Sequence, residues 1–146
     1  MKKAIVIDKD YGSISEKDLH ELQNKLKDQN IELELRHFSS ESDIINHCQN
    51  AEALLCTGNP TINEDVVNAL PNLKIIQRFG IGVNSIDLSS CTKNGVAVLN
   101  MPGFCIEELA AHATSLILSL NRNTSYYDRH IRRGDGPNLN ITHPSL

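Results

Sequence analysis

Short apolar runs alternate with amphipathic segments along the first hundred residues, and this alternation is the strongest constraint on how the chain can fold. The runs predict strands, and they occupy residues 3–8, 31–35, 51–56, 73–79 and 96–99. The segments between them predict short helices, a pattern typical of a parallel sheet wrapped on both faces. We therefore predict an α/β fold of flavodoxin-like type, with five parallel strands in the order 2-1-3-4-5 and helices on both faces.

Local signals place the individual elements of this fold. The first run is continuously apolar, as in a central strand, whereas Ile31–Leu35 alternates as an edge strand does. The first helix is predicted from a cap at Ser15 with Asp18 and from an apolar stripe of Leu19, Leu22 and Leu26. A second helix is predicted near 43–49. Asn63 is predicted to cap a third helix at 64–70, and a single helical turn is predicted near 88–93.

A second kind of element begins after residue 103. Apolar residues recur there at helical spacing, namely Ile106, Leu109, Ala110, Ala113, Leu116, Ile117 and Leu120. The pattern predicts a long helix, roughly 42 Å at helical rise, which should bury its stripe against something beyond the first domain. We divide the chain into a domain at 1–103, a linker or dimerisation helix at 104–133, and a tail at 134–146 that we expect to be poorly ordered.

Composition argues against several classes of function. The net charge is −4, there is no Trp and Phe plus Tyr number six, so neither a basic patch nor a stacking platform for nucleic acid is expected. The N-terminal apolar run ends at Asp8, too short for a signal peptide, and no stretch approaches a membrane span. Four cysteines without CxxC spacing predict a cytoplasmic chain with free thiols, and His20, His37 and His47 lack metal-ligand spacing.

The strand at 73–79 ends in Gly80-Ile81-Gly82, which is the most informative loop in the sequence. Glycine is used where the backbone bends sharply or comes close to a ligand. Successive N–H groups in such a turn can form an anion-binding nest, and in open α/β sheets ligands bind at strand ends. A bare tight turn between strand and helix is the alternative.

Three motifs in a fixed order carry a resemblance to a known family. They are R-x-G-x-G-x-(D/N)-x-I-D at 78–87, N-G-V-x-V-x-N-x-P-G at 94–103 and E-E-L-A-x-H-A at 107–113. Over roughly the first 133 residues, the chain resembles the N-terminal part of the D-isomer-specific 2-hydroxyacid dehydrogenases. The resemblance implies a substrate-binding domain of an NAD-dependent oxidoreductase that interconverts 2-hydroxy and 2-keto acids by hydride transfer, acting as a homodimer through the 104–133 helix.

The resemblance also implies site residues. It places the substrate carboxylate against the N–H groups of Ile81 and Gly82, next to Gly80, and it brings Thr57 and Gly58 into the same cleft. Some relatives that take phosphorylated substrates carry a basic residue at the position of Thr57, so a phosphorylated substrate is not expected. Arg78 reaches the cleft or pairs with a carboxylate such as Asp87.

Cofactor and catalytic groups are expected to lie mostly elsewhere. Cys105 and Leu109 match positions that approach the nicotinamide in relatives, with ordinary packing as the alternative. The dinucleotide fingerprint is absent, because Ser85 stands where a third glycine is needed. In the family the glycine-rich turn and the catalytic residues come later, so we expect a truncated, catalytically silent chain with no metal and no catalytic residue.

Two other functions remain open at this point. The family includes dehydrogenase-like corepressors, and a long helix with an exposed stripe would also suit an interaction module without catalysis. A signalling receiver is a third reading, since Asp8 and Asp10 follow the first strand. Thr57 stands where its phosphoacceptor aspartate should be, so these two acids are better explained as a strand end and turn.

Overall fold

A computed structural model describes residues 1–8 and 16–136, without the side chains of residues 16, 18 and 19. The cap predicted from Ser15 and Asp18, the Leu19 contribution to the stripe, and Asp10 lie outside the described part. So does the predicted tail from residue 137 onward.

Five strands form one parallel sheet in the order β2-β1-β3-β4-β5, which confirms the predicted α/β topology. The strands are β1 (Lys2–Val6), β2 (Ile31–Leu35), β3 (Ala53–Cys56), β4 (Ile75–Arg78) and β5 (Ala97–Leu99). Four helices are interleaved with them, namely α1 (Glu16–Asp28), α2 (Glu41–His47), α3 (Glu64–Ala69) and α4 (Leu88–Lys93). Strand β2 lies at an edge, as its alternating pattern predicted, and β1 lies between two partners.

Helices cover both faces of the sheet, each through its own apolar cluster. The larger cluster joins β1, β3 and β4 to α2, α3 and α4, through residues that include Ile5, Leu54, Ile76, Ile44, Val66, Val67 and Cys91. The smaller cluster joins β1 and β2 to α1, through Ala4, Val6, Leu33, Leu22 and Leu26. A parallel sheet requires apolar cover on both faces, and the two clusters provide it. They therefore hold the carboxyl ends of the strands together at one edge of the sheet.

Side-chain caps set where the short helices begin. Asn63 accepts from Val66 N at 3.0 Å, as predicted, and Asp87 accepts from Ser90 N at 3.0 Å. The start of α2 was predicted two residues late, because the capping box formed by Ser40 and Asp43 was not recognised.

The chain divides into two compact units, Met1–Phe104 and Cys105–Leu146. The prediction of one helix over 104–133 was wrong in its continuity, since the second unit has α5 (Ile106–Asn121) and α6 (Thr124–Arg132). Asn123 between them is left-handed, with φ of 51°. Asn tolerates this conformation better than most residues, and Asn and Thr are poor helix formers, so the run 121–124 favours a break.

Neither α5 nor α6 contains a buried residue. The apolar stripe of α5 is present and exposed within this chain, with Leu109 at 67% and Leu120 at 77% of full exposure. Within residues 1–8 and 16–136, no helix is both long enough and apolar enough to cross a bilayer.

Candidate functional site

The carboxyl ends of β1, β3, β4 and β5 bring four loops to one edge of the first unit. After β1 the chain crosses to β2 on one side, and β3 then lies on the other side of β1. This reversal makes the β1–β3 gap the topological switch point, the place where open α/β sheets bind ligands. Asp8 and Thr57 follow these two strands.

The Arg78 guanidinium lies between the loops that follow β3 and β4. A Cβ built on Gly58 would be 3.8 Å from Arg78 Nη2, and one built on Gly80 would be 2.0 Å from Arg78 Nη1. Arg78 Nη1 donates to the Phe79 carbonyl oxygen at 2.6 Å, while buried Nε has no hydrogen-bond partner among the described residues. The side chain is thus held between the two loops, with one buried N–H donor unpaired.

The glycine loop contains two backbone N–H groups without a hydrogen-bond partner. Ile81 is 46% exposed and Gly82 is exposed, and neither N–H has a partner in the described part of the chain. Gly80 is different, because its own N–H donates to the Arg78 carbonyl oxygen at 3.0 Å. Two adjacent unpaired N–H groups are the donors that an oxyanion or carboxylate accepts from most readily.

The reason for glycine differs between the two positions. Gly80 is required because Arg78 occupies the space of a side chain, whereas a Cβ on Gly82 would meet nothing within 4 Å. Neither has the left-handed φ that only glycine adopts easily. At Gly80 the group that comes close to the backbone is thus the side chain of Arg78, and the predicted approach of a ligand stays a prediction.

The segment after β5 holds the glycine loop in place. Met101 N–H donates to the Gly80 carbonyl oxygen at 2.9 Å, and Asn100 Nδ2 donates to the Ile81 carbonyl oxygen at 2.8 Å. Both carbonyls accept hydrogen bonds from the segment after β5, so the N–H groups of residues 81 and 82, which belong to the same two peptides, point away from that segment. The role of Asn100 was not predicted, although it stands within the second family motif.

Asp8 ties the loop after β3 to the end of β1. Its carboxylate is 4% exposed, and Oδ2 accepts from Thr57 N at 2.5 Å, Thr57 Oγ1 at 2.5 Å and Gly58 N at 3.3 Å. Sequence reasoning assigned Asp8 only to a strand end and turn. The sequence does contain a signal for a hydrogen-bonded carboxylate here, because Asp8 directly follows a buried apolar strand. An unpaired charge at such a position would be costly.

Cys56 lies where the charges of Asp8 and Arg78 both act. Burial, with a smaller contribution from the Asp8 charge, raises the pKa of the Cys56 thiol to about 12, and the Arg78 charge opposes both effects. The thiol is therefore neutral at physiological pH and serves as a small apolar residue in the floor of the site.

Asp87 is committed to the start of α4. Its carboxylate accepts from Ser90 N at 3.0 Å and from Ser89 Oγ at 2.7 Å, and these bonds hold the pKa of Asp87 below its ordinary value. The carboxylate thus has local partners, and the Arg78 guanidinium contacts the Phe79 carbonyl. Among the described residues Arg78 and Asp87 form no ion pair, and the contact of Arg78 with a substrate stays a prediction.

The predicted site residues fall into two groups. Thr57, Gly58, Arg78, Gly80 and the 81–82 pair lie around the same strand ends in the first unit. The two candidate cofactor contacts belong to the second unit, where Cys105 is partly exposed with a left-handed φ of 56° and Leu109 projects from the first turns of α5.

The described residues do not provide a dinucleotide turn or a metal centre. The next helix after the glycine loop, α4, begins at Leu88 and has only six residues, so no long helix directly follows this turn as a dinucleotide turn requires. No group of three His, Cys, Asp or Glu side chains within residues 1–8 and 16–136 could hold a metal ion. We call the N–H groups of residues 81 and 82 the anion cradle, and among the described residues no dinucleotide turn accompanies it.

Comparison with known proteins identifies the family of this chain. The sequence model for "D-isomer specific 2-hydroxyacid dehydrogenase, catalytic domain" matches residues 5–138. The chain belongs to the D-isomer-specific 2-hydroxyacid dehydrogenase family. The suspected resemblance is thereby confirmed over both units.

Named relatives in this dehydrogenase family are longer than the chain. A D-3-phosphoglycerate dehydrogenase of Archaeoglobus fulgidus is 33% identical over 104 residues, which are 71% of this chain and 20% of the relative. A glyoxylate reductase of Thermofilum pendens is 33% identical over 95 residues, which are 65% of this chain and 28% of the relative. The chain thus spans about a quarter of the length of these relatives.

A solved structure shows the same fold. The chain superimposes on a D-lactate dehydrogenase of Aquifex aeolicus, complexed with NAD and lactic acid, with a TM-score of 0.74. The match covers 98% of this chain and 41% of that protein at 21% identity. At this identity the likeness establishes the fold, which agrees with the family membership.

Proposed function

We propose that this chain supplies the substrate-binding part of an NAD-dependent dehydrogenase, which interconverts a D-2-hydroxy acid and its 2-keto acid by hydride transfer. The observation that supports this most directly is the pair of unpaired N–H groups at Ile81 and Gly82. Arg78 adds a cation on the same edge of the sheet. Two backbone donors and a cation suit the carboxylate that every 2-hydroxy acid carries.

In this proposal the residues of the chain bind and orient the substrate. The carboxylate accepts from residues 81 and 82, with Arg78 supplying the countercharge, while Thr57 and Gly58 form the facing wall. Bound NAD would supply the hydride acceptor, and Cys105 and Leu109 are proposed as its contacts on this chain. No residue here is proposed as the acid–base group, so the 146-residue polypeptide alone should not oxidise NADH with glyoxylate.

Backbone amide shifts in a titration with D-glycerate test the proposed carboxylate site. We expect saturable movement of the Ile81 and Gly82 signals. Gly82→Pro removes one donor and should raise the Kd about tenfold or more, the value of a charge-assisted hydrogen bond. Gly82→Ala keeps the N–H, and its Cβ has open space, so it should bind as the wild type does. Equal affinity in the Pro and Ala variants would refute the site.

We also propose that the family member acts as a homodimer in the cytoplasm. The exposed apolar stripe of α5 supports self-association, because such a face on a soluble protein usually meets a partner. Cys48, Cys56 and Cys91 are free and buried, which suits a reducing compartment.

Sedimentation of charged variants tests the association. Ile117→Asp places a charge within the α5 stripe and should convert dimer to monomer. Ser115→Asp is the matched control, since residues two apart on a helix differ by about 200° in direction. If both variants sediment as the wild type does, the stripe is not the dimer interface. Self-association without D-glycerate binding would favour the alternative function, an interaction module without catalysis.

A further inference from the structure

One half of one sheet face is left exposed to solvent. Strands β3, β4 and β5 pair so that six residues lie on this face, namely Ala53, Leu55, Ile75, Gln77, Ala97 and Leu99. We call these six residues the bare half-face. Ile75 is 42% and Leu99 is 46% exposed, and neither belongs to an apolar cluster, whereas Leu54 and Ile76 on the opposite face are fully buried. An exposed apolar surface of this kind usually meets a partner.

A groove next to α1 continues this surface. Its volume is about 410 Å³, and its apolar lining includes Leu26 of α1 together with Leu55 and Ile75. The charged residues that line it are Lys2, Lys3, Lys74 and Glu52. Two of the lysines have ion-pair partners, Glu34 for Lys3 and Glu52 for Lys74, which leaves Lys2 without one among the described residues. The surface is therefore apolar, with an uncompensated positive charge at the amino end of β1.

Helix α5 has the dimensions and the charge that fit this surface. Its 16 residues give a length of about 24 Å and a width of about 10 Å, and strands β3 to β5 lie within roughly 10 Å of one another across the sheet. The first turn of α5 carries Glu107 and Glu108, and the helix contains no Lys or Arg. Its apolar stripe is exposed within the chain. A helix laid on a sheet through such a stripe is the layer packing of α/β proteins.

We propose that the bare half-face is the docking surface for α5 of a second copy of this chain. Each copy lays its α5 stripe over the half-face of the other, around a two-fold axis. Two such contacts double the buried area, which favours the roughly 1,200 Å² or more that a stable dimer buries. The acidic first turn of α5 meets the amino edge of the other sheet, where Lys2 stands. The inference rests on the proposed self-association and names the surface that receives the helix.

Sedimentation of charged variants at matched concentration tests the receiving surface. Leu99→Asp places a charge on the bare half-face and should raise the dimer Kd about a hundredfold or more, because that charge would be desolvated in an apolar contact. Leu88→Asp is the matched control, since Leu88 is 47% exposed and begins α4, whose Cys91 packs in the core on the opposite face. The control should dimerise as the wild type does.

Mixing two variants separates this arrangement from a contact between two α5 helices. Ile117→Asp and Leu99→Asp should each be monomeric alone, because each substitution disrupts both contacts of the pair. A mixture keeps one contact intact, between α5 of the Leu99→Asp copy and the half-face of the Ile117→Asp copy, so dimers should reappear. Their recovery also shows that both variants are folded.

A dilution series of the wild type supplies the remaining readout. The amide signals of Ile75 and Leu99 should shift with concentration together with those of α5. Three results overturn the docking surface and leave self-association through α5 standing: a Leu99→Asp variant that dimerises as tightly as the wild type, a mixture of folded variants that stays monomeric, or a dimerising wild type whose Ile75 and Leu99 signals do not move. A wild type that stays monomeric at millimolar concentration overturns both. Neither result touches the substrate proposal, which is read from D-glycerate binding at residues 81 and 82.

Discussion

The guanidinium of Arg78 occupies the space that a side chain on Gly80 would need, since a Cβ there would come within 2.0 Å of Nη1. Gly80→Ala must therefore displace the guanidinium from the Phe79 carbonyl, which it now contacts at 2.6 Å. We expect a loss of about 1 kcal/mol in the free energy of unfolding. Urea denaturation measures this loss, and a D-glycerate titration should show weaker binding.

A double-mutant cycle checks that Arg78 is the cause. On an Arg78→Ala background the clash is gone, so adding Gly80→Ala should cost less than about 0.5 kcal/mol. Gly82→Ala is the matched control in the same loop, because its Cβ would meet no atom within 4 Å. A cost for Gly80→Ala that persists in full without the Arg78 side chain would contradict this relationship.

Asn100→Ala should loosen the anion cradle without unfolding the domain. The variant loses the 2.8 Å bond to the Ile81 carbonyl, an exposed bond worth about 1 kcal/mol or less. We expect faster amide exchange at residues 81 and 82 and a several-fold higher Kd for D-glycerate. Asn72→Ala removes a similar exposed bond, to the Gln49 carbonyl, and should leave exchange in the cradle unchanged.

Much of the fold could be predicted from the sequence because periodicity and caps are local signals. The alternating pattern of Ile31–Leu35 identified an edge strand, and Asn63 identified the start of α3. The break at Asn123 was missed because the apolar stripe can continue through a helix interruption of two residues, so hydrophobic spacing alone does not detect it.

The candidate site was predictable only where a motif carried it. Gly80, Ile81 and Gly82 stand in a recognisable glycine turn, so their place in the loop followed from sequence. Asp8 meets Thr57 across 49 residues of sequence, and that contact exists only because β1 and β3 are neighbours in the sheet. Long-range pairing of this kind is set by tertiary packing and leaves no local pattern.

Asp87 should make stability depend on pH at the acidic end. Hydrogen bonds from Ser90 N and Ser89 Oγ lower its pKa in the folded state below the unfolded value of about 3.9. The stabilisation is therefore fully present above that unfolded value and is lost as the pH falls through the folded pKa. Asp87→Asn should flatten the acid limb of urea midpoints measured from pH 7 to pH 2. An acid limb as steep in Asp87→Asn as in the wild type would contradict the assignment.

The four thiols should differ sharply in reactivity. Burial raises the pKa of Cys56 to about 12 and that of Cys48 to about 11, and it also raises the pKa of Cys91. Since the thiolate is the reactive form, these three should resist iodoacetamide at pH 8, whereas partly exposed Cys105 should react first. Peptide mapping by mass spectrometry measures each rate, and all four should react at similar rates in concentrated urea. Native alkylation of Cys56 as fast as that of Cys105 would mean that the buried end of β3 opens to solvent, which would contradict its place in the core.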